Sequence, residues 1–486
     1  MGIKNYQATK DNTISNTYRP YSDTRRTSNV NFGLTDNLEI YSLYGSVTAS
    51  VSENEKSRVL MQFNTSQIAT DRTNGDIPAS GSVSFFLNVK NFPETSTSPA
   101  PFTLVVTPLS QSWSEGRGKS FDDMSNEIGS NWETASSLPT VLWDTAGGDV
   151  RTTSLFKQTL LTGTGDLNLD VTSYVEGVIT DGLDDYGVLI QLTGTQETAS
   201  QSYYKTNWYS LQYRDYHKRP VLQARFNDST QDNGGNFYLS SSRAQPSDNL
   251  NTIYLYNYIR GNLVNIPSVG TGDIFVSVFS GTATTPGGSK LASPAGGGVV
   301  SAGNLNITGS YVSTGVYSAS FAFNSSSLDN IYAVWHDDST QYFTGSVIEP
   351  VERLFVNARR TNKYYLSITN LKKEYLQSQS SRLRLFTRNP SLSPVVQTTA
   401  IAEMKPTIVE KAYYQVARKR DNLKIIPYGT GSGDDEYTRL SYDQRGNYLD
   451  LDFGNFDAGT TYTISFVFYE DGQYREQSQQ FDFGVI

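Results

Sequence analysis

Apolar and polar residues alternate in short stretches along most of the chain, with turn-forming residues between the stretches. Val83, Phe85, Leu87 and Val89, for example, occupy every second position of one such stretch. A period of two places successive side chains on opposite faces of a strand, so this stretch predicts a strand with one buried face. Similar patterns predict further strands at residues 103–106, 186–192, 221–226, 274–279, 315–323, 331–335, 364–368, 382–386, 413–416, 423–426, 448–453 and 462–468.

One segment departs from this alternation. Apolar residues within 171–178 fall at the three- and four-residue spacing of an amphipathic helix, and Asp170 or Thr172 can cap its first turn. Near residue 471 the sequence Asp471-Gly472 favours a tight turn and predicts a hairpin. We therefore predict an all-β chain that contains one short helix.

The composition changes along the chain and indicates three domains. A length of 486 residues is also consistent with about three domains. Residues 1–230 contain most of the tryptophans, residues 231–350 are rich in Gly, Ser, Thr and Asn, and residues 351–486 return to clear alternation. The predicted fold is all-β, with three β-sandwich domains in series. Short strands separated by turns make the second domain immunoglobulin-like.

The overall composition narrows the possible classes of function. Hydrophobic residues make up 37% of the chain and charged residues 18%, which is enough apolar mass for packed cores. The net charge of −9 argues against a nucleic-acid partner, which needs a basic face. There is no cysteine, so disulfides and thiolate metal sites are excluded. No stretch approaches the length of about 18 apolar residues that a membrane span requires, so no membrane partner is expected.

The residues that usually carry catalysis or bind metals are scarce. The two histidines, His217 and His336, fall in different predicted domains, and we interpret the first as a surface residue and the second as part of a turn. Residues 434–436, Asp-Asp-Glu, lie in a glycine-rich loop whose oxygens suit Ca²⁺, but the spacing is not that of an EF-hand. We favour a solvated loop, predict no cofactor, and keep a structural Ca²⁺ as the alternative. The chain is predicted not to be an enzyme.

One group of residues is a candidate glycan-binding site. Trp113 and Trp132 each lie close in sequence to acidic residues, as aromatic and acidic residues do in many sugar clefts. The acidic candidates are Glu115, Asp122, Asp123 and Glu133. We favour an architectural role in which the indoles fill the sandwich, ahead of glycan binding. Hydrolysis is the least favoured, because it needs two carboxyl groups that face each other roughly 5–10 Å apart.

The first predicted domain carries an ordered set of short motifs. They are Asp11-Asn12-Thr13-Ile14, Asn31-Phe32-Gly33, Ser57-Arg58, Ser112-Trp113-Ser114-Glu115, Asn131-Trp132-Glu133, Trp143, Gly147-Gly148 and Lys218-Arg219-Pro220. This order resembles the DNRLRE-type jelly-roll domain of surface proteins and carbohydrate-binding modules. The resemblance covers the whole of this domain and implies a β-sandwich of jelly-roll type. Some members of that family bind polysaccharides.

The last predicted domain carries a second distinctive pattern. Its motifs are Tyr413-Tyr414, Ile425-Ile426-Pro427, Tyr437 to Asp443, Gly446 to Asp452 and Tyr462 to Phe466. The pattern resembles the C-terminal β-domain of virion structural proteins of large tailed bacteriophages. This resemblance implies a place in a virus particle.

These observations together predict a structural protein of a tailed-phage virion, located in the neck, the tail or the capsid periphery. Such a protein would act by assembly with copies of itself and with other virion proteins, and tyrosine-rich faces suit the wet interfaces of symmetric assemblies. The alternative is a carbohydrate-binding adhesin that contacts host surface glycans. Trp113, Glu115, Trp132 and Glu133 are the residues that such an adhesin would use.

Overall fold

The computed structural model describes residues 2–17, 28–48, 51–93, 99–119, 128–200, 203–280, 290–291, 306–323, 329–352, 364–389, 405–431 and 436–486. Strands account for 47% of the structure and helices for 9%, so the prediction of an all-β chain of β-sandwiches is confirmed. The chain forms two compact units. The N-terminal unit comprises Gly2–Asn227 with Gly431–Tyr437, and the C-terminal unit comprises Asp228–Thr430 with Thr438–Ile486.

The N-terminal unit is built from antiparallel strands and a few short helices. In its described residues the strands are β1 (Ile3–Asn16), β2 (Asn37–Thr48), β3 (Val51–Phe63), β4 (Ser84–Val89), β5 (Phe102–Pro108), β6 (Thr134–Ser137), β7 (Thr140–Leu142), β8 (Phe156–Leu160), β9 (Leu167–Asp170), β10 (Val188–Leu192), β11 (Tyr203–Tyr209) and β12 (Val221–Arg225). The α-helices are α1 (Thr65–Asn74), α2 (Thr172–Thr180) and α3 (Gly194–Glu197). A 3-10 helix spans Tyr216–Lys218.

The long strand β1 joins two groups of paired strands. Its first half pairs with β12, which continues to β4 and β9, and its second half pairs with β3, which continues to β10, β5 and β8. The pairing register shifts between Ala8 and Lys10, and such a bulge bends a strand. A large apolar cluster draws buried side chains from both groups, including Leu87 of β4 and Met61 of β3. The core therefore lies between the faces of the two groups.

Both helices of more than one turn have clear local causes. Helix α2 was predicted, and it begins where the backbone N–H and hydroxyl of Thr172 donate to Oδ1 of Asp170, at 2.9 and 2.6 Å. Helix α1 was not predicted, because its sequence carries a single large apolar residue, Ile68, and so shows no periodicity. Its ends are nevertheless marked, since Asn64 accepts a hydrogen bond from the N–H of Gln67, and Gly75 follows with a φ of 79°.

The regular secondary structure described in the C-terminal unit is made of strands, apart from three short 3-10 helices. In its described residues they are β13 (Asn251–Tyr256), β14 (Tyr258–Ile259), β15 (Asn262–Leu263), β16 (Ile274–Ser280), β17 (Lys290–Leu291), β18 (Ile307–Ser313), β19 (Val316–Phe321), β20 (Ile331–His336), β21 (Gln341–Thr344), β22 (Tyr365–Ile368), β23 (Glu374–Tyr375), β24 (Ser380–Arg388), β25 (Ala412–Arg418), β26 (Lys424–Ile426), β27 (Ser441–Asp443), β28 (Gly446–Asp452), β29 (Thr460–Glu470), β30 (Gln473–Glu476) and β31 (Phe481–Val485). Its 3-10 helices span Asn233–Gly235, Pro246–Asn249 and Phe453–Asn455.

Three larger sheets organise these strands. One has the order β13-β19-β18-β16-β20-β21 with β17 beside β16, a second has the order β22-β24-β28-β27, and a third has the order β23-β31-β29-β25-β26 with β30 beside β29. The predicted hairpin near the end of the chain is present between β29 and β30. Asp471 and Gly472 both adopt positive φ values, 50° and 77°, as the two central residues of a type I′ turn require.

The boundary between the two compact units, at 227/228, lies close to the predicted boundary at 230/231. The first of the three larger sheets uses residues 251–344, and the other two use residues 365–485. The division into three domains, with boundaries at 230/231 and 350/351, stays a prediction.

Candidate functional site

The tryptophans of the candidate glycan site are part of a buried apolar cluster in the N-terminal unit. Trp113 and Trp132 are only 4% and 7% exposed, and they share this cluster with Trp143. The indole N–H of Trp113 donates to the carbonyl of Tyr186 at 2.9 Å, and that of Trp143 donates to the carbonyl of Asn131 at 2.9 Å. Buried rings cannot serve as stacking platforms for a sugar, so their positions favour the architectural role.

Arg58 closes one side of this cluster. Its guanidinium lies 5.0 Å from the ring centre of Trp132. Nε and Nη2 donate to the two carboxylate oxygens of Glu197 at 2.9 and 2.7 Å, and Nη1 donates to the carbonyl of Gly147 at 2.9 Å. Glu197 binds the edge of the planar guanidinium and Trp132 packs against its face, so the orientation of the Arg58 side chain is fixed. Arg58 thus links the tryptophan cluster to the backbone at Gly147 and to Glu197 of helix α3.

A buried asparagine holds the segment that follows Trp113. The side-chain amide of Asn31 donates to the carbonyls of Glu115 and Ser130, at 2.6 and 2.8 Å. Its Oδ1 accepts the backbone N–H groups of Gly33 and Gly118, both at 3.0 Å. Both N–H groups of the Asn31 amide and both lone pairs of its oxygen are therefore used inside the protein.

Gly118 is required by this close approach. A Cβ atom at position 118 would lie 1.5 Å from the carbonyl oxygen of Asn31, so any other residue would displace the backbone. Asn12 adds a parallel set of contacts, because its amide donates to both the carbonyl and the hydroxyl of Ser130 at 2.9 and 2.8 Å. Its Oδ1 accepts the N–H of Phe32 at 3.0 Å. The motifs that were separate in sequence meet here as one framework.

The acidic residues of the candidate site have different surroundings. Glu115 is half-buried, its Oε1 accepts the backbone N–H of Asp11 at 3.1 Å, and burial raises the pKa of its carboxyl group. Glu133 is exposed and accepts a hydrogen bond from the hydroxyl of Ser28 at 2.5 Å. The structure thus brings Glu115 next to Asp11, and places Glu133 in a separate contact with Ser28. Asp122 and Asp123 lie outside the described residues.

Asp11 is a buried acid that sequence reasoning had placed in a motif without a role. Its side chain is almost fully buried, and its Oδ2 accepts the backbone N–H of Leu211. Burial raises the pKa of Asp11, the hydrogen bond from Leu211 opposes this rise and the nearby carboxylate of Glu115 adds to it, and the net pKa is about 7. Asp11 is therefore a titrating group inside the framework of the N-terminal unit.

A pH dependence of stability follows from Asp11. Its folded pKa of about 7 lies above the ordinary value of 3.8 for this group, so between these values the folded chain holds a proton that the unfolded chain releases. Stability from this group is present at low pH and is lost as the pH rises towards 7. We expect the free energy of unfolding to fall by about 1 kcal/mol between pH 6 and pH 7 on account of Asp11. Urea unfolding at a series of pH values measures this slope.

Asp11→Asn provides the comparison for that measurement. The amide keeps an oxygen that can accept the N–H of Leu211 but cannot ionise, so the slope between pH 6 and pH 7 should decrease by the same amount. An identical slope in Asp11→Asn and the unchanged chain would assign the pH dependence to another group.

The two histidines lie on separate secondary-structure elements, a strand and a 3-10 helix. His336 is the last residue of β20 and is buried, so the turn that we predicted there begins one residue later, at Asp337. Its Nε2 lies 2.8 Å from the hydroxyl of Ser277, and its Nδ1 accepts the N–H of Asp338. Burial lowers the pKa of His336. His217 lies half-buried on the 3-10 helix Tyr216–Lys218.

Asp434 and Asp435 of the candidate Ca²⁺ loop lie outside the described residues. Over the described ranges, no group of three or more His, Cys, Asp or Glu side chains is placed to hold a metal ion. In the same ranges, no helix is long and apolar enough to cross a membrane.

Sequence reasoning missed one cleft, which lies in the C-terminal unit. Tyr254, Tyr256 and Tyr258 line one side of it, and Arg382 and Arg445 are among the residues on the other. The signal for two of the tyrosines was available, because Tyr254 and Tyr256 alternate along β13 and therefore lie on one face. The arginines come from segments more than a hundred residues further along the chain, so only the fold brings the two groups together.

No family model matches the chain, and no curated protein matches it. One similar solved structure is the N-terminal Ig1-2 module of the Drosophila receptor protein tyrosine phosphatase DLAR, at 8% identity over 49% of this chain and 92% of that one, with a TM-score of 0.14. A marsupial T cell receptor is similar at 9% identity over 52% and 70%, with a TM-score of 0.16. The BSP domain of a biofilm associated protein is similar at 8% identity over 92% and 66%, with a TM-score of 0.18. These values are too low to bear on function, and the class of protein rests on the strand pairing, which defines an all-β protein of β-sandwiches.

Proposed function

We propose that this chain is a non-catalytic structural protein of a tailed-phage virion that acts by assembly with copies of itself and with other virion proteins. The phage assignment is supported by the sequence resemblance of residues 351–486. The assembly role is supported by one structural observation, an exposed apolar hairpin in the N-terminal unit. Leu138 and Leu142 on this hairpin are 73% and 64% exposed.

The hairpin consists of β6 and β7, which pair only with each other among the described strands. All residues of β7 are exposed, and Val141 lies on the opposite face from Leu142. Ile128 adds a further exposed apolar side chain nearby, because the N–H of the adjacent Gly129 donates to the hydroxyl of Ser137 at 2.6 Å. Several exposed apolar residues on one hairpin favour a protein–protein contact, and a strand edge can pair with another chain.

Hydrogen bonds to Asn131 and to a member of the tryptophan cluster hold the base of the hairpin. Oδ1 of Asn131 accepts the N–H groups of Glu133 and Thr134, both at 2.8 Å. The carbonyl of Ala135, a buried member of the tryptophan cluster, accepts the N–H of Ser114 at 3.0 Å. A hairpin held in this way loses little conformational freedom on binding, which favours association. The motifs of the first domain would therefore present an assembly surface.

The test is a double substitution on the hairpin, Leu138→Asp with Leu142→Asp. Two charges in an apolar contact would have to be desolvated on association, so we expect self-association to weaken at least about tenfold. Light scattering on the purified full-length chain measures this, and mass spectrometry of purified particles measures incorporation. Leu161→Asp is the matched control, because Leu161 is 76% exposed in the same unit but lies outside the hairpin.

Two results would contradict the proposal. One is the absence of the protein from purified phage particles, which would remove the virion assignment. The other is unchanged association and incorporation of the double variant, which would remove the hairpin as the assembly surface.

A further inference from the structure

A polar cleft of about 420 Å³ lies in the C-terminal unit and has two chemically distinct sides. Tyr254, Tyr256 and Tyr258, from β13 and β14, line one side. Arg382 and Arg384 of β24 line the other side, together with the turn between β27 and β28. A cleft with aromatic surface and a few convergent polar groups has the character of a ligand site.

The tyrosine side is ordered by the alternation of β13. Ile253 and Leu255 point into the core, so Tyr254 and Tyr256 share the opposite face. Their rings are stacked, with centres 6.1 Å apart and planes inclined by 22°. Both rings are half-buried, while Tyr258 is 58% exposed at the end of the row. The stacked pair and Tyr258 together offer aromatic surface and phenol groups to the cleft.

The arginine side is held rigidly by carboxylates. Arg382 donates to both carboxylate oxygens of Asp450 at 2.8 and 2.9 Å, and its guanidinium lies 4.1 Å from the ring centre of Tyr448. Arg384 donates to both oxygens of Asp443 at 2.8 Å. Two-point pairs fix the planes of both guanidinium groups, while leaving other N–H groups directed away from the carboxylates.

Arg445 is the basic group of the cleft that is not held in this way. It lies exposed on the turn between β27 and β28, and its guanidinium has no ion-pair partner among the described residues. The two acids that line the cleft are Asp443, paired with Arg384, and Asp232, whose pKa burial raises to about 7. Near neutral pH a part of the Asp232 population is therefore uncharged, and the cleft keeps a small excess of positive charge at Arg445.

We propose that this cleft binds an acidic oligosaccharide, with sugar rings against the tyrosine row and a carboxylate of the sugar at Arg445. The C–H face of a pyranose is apolar and packs on an aromatic ring, while its hydroxyl groups pair with oriented guanidinium and phenol groups. A uronic acid adds the negative charge that the cleft leaves unmatched. This inference is independent of the assembly role, since the hairpin belongs to the N-terminal unit.

The experiment is an array of bacterial polysaccharides, both uronate-containing and neutral, probed with the full-length chain. Tyr258→Ala and Arg445→Ala test the two sides of the cleft, and both residues are exposed, so neither change should disturb folding. We expect binding to uronate-containing glycans and at least about a tenfold loss of affinity in each variant, measured by titration calorimetry with the best-bound oligosaccharide. Tyr365→Ala and Arg388→Ala are matched controls in the same unit, at exposed positions outside the cleft.

Each other outcome would overturn the proposal. Binding to neutral glycans alone would contradict the role of Arg445, and equal losses in the control variants would show that the cleft is not the site. Binding to no glycan on the array, by a chain whose thermal unfolding is cooperative, would remove the oligosaccharide as the ligand. None of these results would alter the association measured for the hairpin variants.

Discussion

Replacing Asn31 with alanine is expected to reduce the free energy of unfolding of the N-terminal unit by about 4 kcal/mol. The side chain makes four hydrogen bonds to backbone groups of Gly33, Glu115, Gly118 and Ser130. Asn31 itself is buried, so these groups would be left without a partner, at roughly 1 kcal/mol or more each. Urea unfolding followed by tryptophan fluorescence measures the change, because three tryptophans lie in the adjoining cluster.

Asn370→Ala is the matched control for this prediction. Asn370 also uses both ends of its amide, donating to the carbonyl of Arg382 at 2.6 Å and accepting the N–H of Arg384 at 2.8 Å. It is exposed, so water can replace its side chain, and we expect a loss of less than about 1 kcal/mol in unfolding followed by circular dichroism. Similar losses at the two asparagines would mean that burial of the Asn31 contacts is not what stabilises the framework.

Replacing Arg58 with methionine is expected to destabilise the N-terminal unit by about 3 kcal/mol. Glu197 is 5% exposed, and the change would leave its carboxylate buried without a counter-charge. The stacking on Trp132 and the hydrogen bond to Gly147 would be lost as well. The same urea unfolding experiment measures this loss.

Two further variants separate charge burial from simple loss of contacts. Arg382→Met also removes a bidentate ion pair, but the side chains of Arg382 and Asp450 are 42% and 48% exposed. We therefore expect the free energy of unfolding to change by about 0–1 kcal/mol. Combining Arg58→Met with Glu197→Gln should recover part of the stability, because the unpaired charge is then gone. A double variant as unstable as the sum of the single ones would show that the ion pair is not coupled.

Two features were predicted where local information suffices. The strand of residues 83–89 was evident from its alternation, and β4 buries Phe85, Leu87 and Val89 as expected. The turn at Asp471-Gly472 was evident because few residue pairs accept positive φ at both positions. Alternation and turn chemistry act within a few residues, and they are therefore readable from sequence.

The roles of individual aromatic residues were not readable in this way. Tyrosine-rich faces were expected to suit wet interfaces, yet Tyr413, Tyr414, Tyr448 and Tyr462 are all almost fully buried in the C-terminal unit. Tyrosine has an apolar ring and a polar hydroxyl, so its composition fits a core as well as an interface. Which of the two it joins depends on the strands that pack against it.

The chain's own alternation and turns predicted an all-β, β-sandwich protein, and its lack of cysteine excluded disulfides and thiolate metal sites, because each of these signals is local or compositional. The positions of Asn31 beside Gly118, of Arg58 against Trp132, and of Arg445 in the same cleft as Tyr256 came from folding alone. Their partners are dozens to hundreds of residues away in sequence, and no local pattern records which distant segments pair. The candidate sites of this protein are made of such contacts. Only the tertiary structure therefore showed that the tryptophans are buried in an architectural cluster and that tyrosines and arginines line a cleft.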